Sequence, residues 1–170
     1  TYDNVWGNFE TFSLIGESEI LGMTLDKRHH YKFLWTSDNK ILVLDNDGNK
    51  IILNPNNGSY DQSTKVNCIV QDMDGELWIG TDKGIKVAYN IADIFETNDG
   101  ITSTTECQNI IYQENGIAQY LLNFENVTCM MIDGGNRKWV GTERNGIYVL
   151  SPSGDEQLYH FTAENSPLIS

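Results

Sequence analysis

The stretch Trp78-Ile79-Gly80-Thr81 returns 61 residues later as Trp139-Val140-Gly141-Thr142, and this repetition decides the fold of the 170-residue chain. Working outward from the two copies, Val66-Asn67-Cys68-Ile69 aligns with Val127-Thr128-Cys129-Met130 at the same offset. Because so many positions match in one order, the sequence contains an internal repeat.

The alignment extends to an aspartate and to a third, degraded copy. Asp72 aligns with Asp133 at the offset of 61 residues. Upstream, Trp35 precedes Trp78 by 43 residues, in a copy that has lost the Gly-Thr pair. The two intervals differ by about the length of one hairpin, so we expect an insertion within 101–122.

Each copy is predicted to form a four-stranded antiparallel sheet. Short apolar stretches alternate with Gly, Asn, Asp and Pro residues that favour tight turns, and no long stretch has convincing helical periodicity. Four short strands at intervals of about 40 residues or more are typical of a propeller blade. In the last copy the predicted strands are 127–133, 137–143, 147–150 and 157–162.

The predicted fold class is all-β: a partial β-propeller with two clear blades and one degenerate blade, and hence a fragment of a larger propeller. We expect the blades at 18–60, 61–100 and 123–163, the inserted hairpin at 101–122, and 164–170 leading into a next blade. A propeller needs about four blades to close, so an open arc leaves strand edges and apolar faces exposed. We therefore expect the chain to self-associate.

The repeated residues are interpreted as architecture rather than as a catalytic or binding site. One Trp per blade supplies a rigid plane between neighbouring sheets, and a Gly two residues later allows a close backbone approach. The hydroxyl of the following Thr can bond a nearby backbone group. The predicted structural positions are Trp35, Asp72, Trp78, Gly80, Thr81, Asp133, Trp139, Gly141 and Thr142.

Composition excludes several classes of partner. The chain has 11 Lys and Arg against 24 Asp and Glu, a formal charge of −13. Nucleic-acid binding needs clustered basic residues, so neither a nucleic acid nor an anionic membrane surface is expected as a partner. No apolar run approaches the roughly 20 residues of a membrane-spanning helix, and no targeting leader precedes Thr1, so we expect no membrane insertion in this segment.

Two sets of residues could suggest a metal site. The turns 45–48 and 72–75 resemble calcium loops, but both lack the required acidic spacing and the closing Glu, so tight hairpin turns explain them. The adjacent pair His29-His30 would point to opposite faces of a strand and is expected in a solvated turn. The sequence therefore predicts no metal and no cofactor.

The remaining reactive side chains give no catalytic motif. Cys68 and Cys129 occupy equivalent positions in two blades, too far apart for a disulfide, and are predicted to be buried free thiols. His160 lies in a last strand and is expected to be exposed. Because no nucleophile, base and orienting group can be placed together, we expect no enzyme activity and identify no ligand-binding residue.

The pattern from Val66 to Ile85, Val-x-x-Ile-x-x-Asp-x-Asp-Gly-x-Leu-Trp-Ile-Gly-Thr-x-x-Gly-Ile, resembles the propeller repeats of Bacteroidetes two-component regulators. The segments 116–122, 136–143 and 161–170 are similar, more particularly, to PorZ-like accessory propellers of the type IX secretion system. The resemblance covers residues 31–170.

This resemblance implies a non-enzymatic binding module in the periplasm or on the surface of a Gram-negative cell. PorZ-like proteins imply carbohydrate or lipopolysaccharide and envelope proteins as partners. The two-component relatives imply an alternative, a periplasmic oligosaccharide-sensing domain. An alternative of another class is a propeller glycan hydrolase or lyase, since some propellers place paired carboxylates around a central channel.

Overall fold

The computed structural model describes residues 16–56, 64–96, 103, 105–114 and 117–167. These residues form three four-stranded antiparallel sheets, each in chain order, and one separate hairpin. The all-β class and the four-stranded blades are therefore confirmed. Within the described ranges the only helical element is the 3-10 turn Ile91–Asp93.

The three sheets are called the first, middle and last blades. The first contains β1 (Ile20–Leu25), β2 (Lys32–Thr36), β3 (Ile41–Leu44) and β4 (Lys50–Leu53). The middle contains β5 (Val66–Gln71), β6 (Leu77–Thr81), β7 (Gly84–Ala88) and β8 (Cys107–Asn109). The last contains β11 (Val127–Ile132), β12 (Lys138–Thr142), β13 (Ile147–Leu150) and β14 (Gln157–Phe161). The hairpin pairs β9 (Ile111–Glu114) with β10 (Ile117–Tyr120).

The stretch 101–122, predicted as one inserted hairpin, contains two different elements. Cys107–Asn109 is β8, which pairs with β7 and completes the middle blade. Only the residues after it form the separate hairpin. The middle blade therefore extends to Asn109, beyond its predicted end at residue 100.

Alternation along each strand builds two core layers between the blades. In β6, Leu77 and Ile79 pack toward the first blade, whereas Trp78 packs toward the last blade. The face of a blade that points toward the next blade in chain order is called its forward face, and the opposite face its backward face. Each core layer thus joins one forward face to one backward face, which buries apolar surface that a single sheet would leave exposed.

The strand registers correct the predicted position of Trp35. The bulged pairing of β1 with β2 sets Gly22 opposite Trp35, as Cys68 is opposite Gly80 in the middle blade. Trp35 therefore occupies the glycine position, and Phe33 is the counterpart of Trp78. The exchange is complementary, because a Cβ on Gly22 would lie 2.1 Å from Cζ2 of Trp35.

The register also shows that the first blade has the repeated threonine, which the sequence alignment predicts to be absent. Thr36 pairs with Ile20, as Thr81 pairs with Val66 and Thr142 with Val127. The Thr36 hydroxyl donates to the carbonyl of Lys40 over 3.0 Å, inside the turn that joins β2 to β3.

Candidate functional site

The repeated Gly residues lie where neighbouring atoms leave no room for a side chain, and the repeated Thr residues hydrogen-bond to the backbone. A Cβ on Gly80 would lie 2.5 Å from Sγ of Cys68, and one on Gly141 would lie 2.6 Å from Sγ of Cys129. The hydroxyls of Thr81 and Thr142 donate to the carbonyls of Gly84 and Gly146, over 2.8 and 3.0 Å. The threonine hydrogen bonds are internal to each blade, whereas a Cβ on Gly80 would also lie 2.7 Å from Cγ1 of Val127 in the last blade.

Asp72 and Asp133 bind the indole of their own blade's tryptophan. Nε1 of Trp78 donates to Asp72 over 3.1 Å, and Nε1 of Trp139 donates to Asp133 over 2.9 Å. The other oxygen of each carboxylate accepts two backbone N–H groups of the turn that follows, at 2.9 to 3.0 Å. Each aspartate therefore fixes the turn between the first two strands and orients the Trp ring.

A third aspartate, Asp26, fixes the corresponding turn of the first blade. Asp26 follows β1 directly and accepts the backbone N–H groups of Arg28 and His29, each at 2.8 Å. The side chain of Phe33 has no N–H donor, and Nδ1 of His29 lies 2.8 Å from the Asp26 carboxylate instead. Although burial opposes it, these hydrogen bonds leave the pKa of Asp26 below its ordinary value.

The two indole-binding aspartates differ in the cation that neutralises them. Asp72 pairs with Lys138 of the last blade. Nζ of Lys138 lies 3.0 Å from the Asp72 carboxylate and 4.5 Å from the centroid of the Trp78 ring. Both charged side chains are fully buried. Asp133 instead takes Nε of Arg137 from its own turn, at 2.7 Å. Hydrogen bonds from Trp139 and from the turn hold the pKa of Asp133 well below its ordinary range.

The same turns form a belt across the three blades. Asn136 of the last blade accepts from the N–H of Met73 at 3.0 Å and donates to the Asp74 carboxylate at 2.8 Å. Arg28 of the first blade donates to the carbonyls of Met73 and Asp74. The turn 72–75, which resembled a calcium loop, is thus occupied by contacts between blades.

The other predicted reactive groups have mixed outcomes. Cys68, Cys107 and Cys129 are free thiols. Cys68 is half-buried and Cys129 is exposed, whereas both are predicted to be buried. None of the described blades covers the face on which Cys129 lies. Burial raises the pKa of Cys68 and of Cys107 to about 12. His160 is half-buried rather than exposed, since its ring stacks on Tyr148 with the centroids 3.9 Å apart.

No cluster of three or more His, Cys, Asp or Glu side chains that could hold a metal lies among the described residues. His29 and His30 lie in an exposed turn.

The inserted hairpin and the turn that follows it carry the most exposed large hydrophobic residues among those that the structure describes. Phe124 is 91% exposed, Ile117 64% and Ile111 59%. A groove of about 480 Å³ runs beside them. It is lined by Ile111, Ala118, Gln119, Tyr120, Asn123 and Phe124.

The hairpin is anchored at its base in the core between the middle and last blades. Ile110 and Leu121 flank it, are buried, and pack in the same cluster as Trp78. The backbone N–H of Leu121 donates to the carbonyl of Ile110 over 2.8 Å. The groove is therefore an exposed surface on a fixed base, which is the usual arrangement of a preformed binding site.

Sequence reasoning identified the insertion but none of the groove residues. Tyr120 and Phe124 are not part of the repeat, so self-alignment gives no information about them. The available signal is that Tyr120 stands in, and Phe124 directly after, an insertion that the blade architecture does not need.

Residues 61–83 match the family model described as two component regulator propeller. With three four-stranded blades in sequence, the chain is a partial β-propeller, and one of its repeats is similar to the two component regulator propeller family. No curated protein matches it.

Several solved structures share the fold, and two of them are as follows. PorZ, an essential bacterial surface component of the type-IX secretion system of Porphyromonas gingivalis, is 25% identical, with a TM-score of 0.75. The extracellular domain of the hybrid two component system BT3049 of B. thetaiotaomicron is 21% identical, with a TM-score of 0.59. The matches cover 89% and 90% of this chain but only 22% and 17% of those chains.

The resemblance predicted from the sequence is thus confirmed. The two matched proteins are a bacterial surface component and an extracellular domain. No helix among the described residues is long and apolar enough to span a membrane.

Proposed function

We propose that the chain is a non-enzymatic carbohydrate-binding module of the bacterial envelope, and that the groove of the inserted hairpin holds the ligand. The observation that carries the proposal is the exposure of Tyr120 and Phe124 beside the amides of Gln119 and Asn123. Exposed aromatic rings flanked by amides on a fixed base are unusual for a surface that binds nothing.

The side chains of the groove match the chemistry of a sugar. Flat aromatic rings pack against the apolar C–H faces of pyranose rings, and burial of such a ring contributes about 1.5–3 kcal/mol. Amide groups both donate and accept hydrogen bonds, as sugar hydroxyls do. The groove-lining residues carry no charge. Together with the net charge of −13, this favours neutral sugar units over phosphate or carboxylate groups.

Binding without catalysis is supported by what the prominent carboxylates already do. Asp72 and Asp133 hold tryptophan N–H groups, turn N–H groups and a cation in each blade. Their oxygens are committed to the fold, so they are poor candidates for the acid and base of a glycosidase.

For the biological setting we propose a role like that of PorZ, an accessory propeller of type IX secretion at the cell surface. The higher identity and TM-score of that match support this setting. The partners would then be surface glycan or the sugar of lipopolysaccharide, together with envelope proteins. The match to the extracellular domain of a hybrid two component system supports the second candidate, a periplasmic oligosaccharide sensor.

The test is a binding titration of the purified chain against a panel of bacterial surface glycans and their neutral fragments. Phe124→Ala and Tyr120→Ala should each weaken binding about tenfold or more, since each removes most of the aromatic surface that the sugar covers. Tyr159→Ala is the matched control, because Tyr159 is 56% exposed but lies on the last blade. Binding that Tyr159→Ala abolishes, or that both groove variants retain, would reject the groove as the site.

A further inference from the structure

A hollow of about 610 Å³ lies where the first strands of the three blades end. Among these strands, β5 contacts both β1 and β11. The hollow takes in their last residues and the turns that follow β1 and β5. Its volume is typical of a site for one small molecule. The apolar residues that line it are Leu25, Val70, Met73, Met130, Met131 and Ile132.

Three of these apolar residues are exposed although the backbone around them is fixed. Leu25 is 56%, Met73 47% and Met131 58% exposed. The N–H of Met73 donates to Asn136 of the last blade over 3.0 Å, and its carbonyl accepts from Arg28 of the first blade. Exposed apolar residues gathered around one hollow indicate a binding surface. Because methionine is flexible, these side chains can adapt to an alkyl chain.

The hollow also carries two cations, in a chain whose net charge is −13. Lys27 and Arg28 line it, and both are exposed. The guanidinium of Arg28 donates to the backbone carbonyls of Met73 and Asp74, which are neutral groups. These hydrogen bonds hold the guanidinium at the hollow without cancelling its charge, and a guanidinium has further N–H groups for an anion.

The carboxylates in and beside the hollow are engaged within the fold. Asp72 is the one acidic residue in the described lining, and Lys138 neutralises it at 3.0 Å with both side chains fully buried. Asp74, next to it, accepts from the side chain of Asn136 over 2.8 Å. Asp26 is buried and accepts backbone N–H groups of its own turn. The charges left in the described lining are therefore positive.

We propose that this hollow binds a free single-chain amphiphile with an anionic head, such as a long-chain carboxylate. The alkyl chain lies against Leu25, Met73 and Met131, and the head group is held by Lys27 and Arg28. Each methylene that the hollow buries strengthens binding by about fourfold. The site differs in chemistry from the groove of the inserted hairpin, whose lining residues carry no charge.

Charge favours a free amphiphile over the lipids of a membrane. An anionic bilayer would meet the field of the whole chain, which carries a net charge of −13 and is repelled. A single molecule inside the hollow lies close to Lys27 and Arg28, and salt screens the more distant acidic residues. The hollow therefore selects a dissolved anion rather than a charged surface.

The four methionines of the chain allow the site to be tested directly. Met73, Met130 and Met131 line the hollow, whereas Met23 is 58% exposed but is not a lining residue. The chain is prepared with carbon-13-labelled methionine methyl groups and titrated with decanoate below its micelle-forming concentration. The NMR signals of Met73 and Met131 should shift and saturate, and the signal of Met23 should not move. Equal shifts at Met23, or no saturable shift at Met73 and Met131, would overturn the proposal.

The role of the cations is tested by changing the head group and then the protein. Decanoate should bind about fivefold or more tightly than decanol or decyltrimethylammonium. Lys27→Glu should weaken decanoate binding about tenfold, because it replaces an attraction by a repulsion. Lys65→Glu is the matched control, since it changes the net charge equally and Lys65 is exposed before β5, at the other end of that strand. Equal affinity for decanoate and decyltrimethylammonium, or equal losses in the two variants, would overturn the proposal.

Two further measurements separate this site from a membrane and from the glycan groove. Vesicles of phosphatidylcholine with one quarter phosphatidylglycerol should not sediment the chain, and sedimentation that Lys27→Glu abolishes would overturn the proposal in favour of a membrane surface. Phe124→Ala should leave the affinity for decanoate unchanged, and decanoate binding that this variant abolishes would also overturn it. Lys27→Glu should leave glycan binding unchanged, so the failure of one site does not imply the failure of the other.

Discussion

Replacing Lys138 by methionine tests how the blades are held together. The ammonium group is fully buried, 3.0 Å from the Asp72 carboxylate and 3.1 Å from the carbonyl of Asn136. It also bonds the carbonyl of Pro152 and lies over the Trp78 ring. Methionine fills a similar volume but leaves the buried carboxylate without its cation.

The expected loss in the free energy of unfolding is about 3 kcal/mol. Removing one partner of a buried ion pair costs about 3–5 kcal/mol, because the remaining charge stays desolvated. Asp72 keeps three N–H donors, from Trp78, Asp74 and Glu76, so we expect the lower end of that range. Adding Asp72→Asn to Lys138→Met should recover part of the loss, since the double variant buries no charge.

Urea unfolding followed by both tryptophan fluorescence and circular dichroism measures the loss and checks that the transition is cooperative. Arg137→Met is the matched control, because the Arg137 and Asp133 side chains are 43% and 17% exposed and such pairs contribute about 0–1 kcal/mol. The reasoning fails if Lys138→Met costs less than about 1 kcal/mol, or if Arg137→Met costs as much as Lys138→Met.

Two further predictions concern the first and last blades. Gly22→Cys should destabilise the chain by about 2 kcal/mol, because the new Cβ meets the Trp35 ring. Combined with Trp35→Gly, this substitution recreates the Cys–Gly pairing of the other blades. The double variant should therefore lose less free energy of unfolding than the two single variants lose in sum. Strictly additive losses in melting experiments would contradict the register. Because the pKa of Asp133 is lowered in the folded protein, its carboxylate stabilises the fold above its unfolded pKa of about 3.9, and that contribution is lost as the pH falls through the folded value. When the pH is lowered from about 5 to about 2, the Asp133→Asn variant should therefore lose less stability than the parent protein. The midpoints of urea unfolding measure this loss, and equal losses in the two proteins would contradict the role of Asp133.

The sequence predicted the middle and last blades closely because their turns and strands repeat residue by residue. The predicted strand 147–150 has the observed bounds, and Trp78 and Trp139 occupy equivalent positions. In the first blade, alignment on tryptophan matches Trp35 with Trp78, whereas the observed register matches Phe33 with Trp78. Register is set by cross-strand pairing and by a bulge, and a single aromatic residue does not reveal either.

Three other features could not be predicted from the repeat pattern. Asp26 was not recognised as the third repeated aspartate because it stands seven residues before Phe33, whereas Asp72 stands six before Trp78. The strand Cys107–Asn109 is separated from its partner β7 by a long connection, so its pairing is nonlocal. The groove beside Tyr120 and Phe124 exists only because buried Ile110 and Leu121 fix the hairpin to the blades.

The central claim, that the chain binds a glycan and leaves it intact, is tested most directly by one experiment that follows binding and turnover together. The chain is equilibrated with the glycan that binds best, the bound fraction is measured, and the recovered glycan is analysed by mass spectrometry. Saturable binding that Phe124→Ala weakens, with every recovered glycan unchanged in mass, is the predicted result. Shortened or unsaturated products that disappear when a single carboxylate is substituted would show that the chain is an enzyme and would contradict the account.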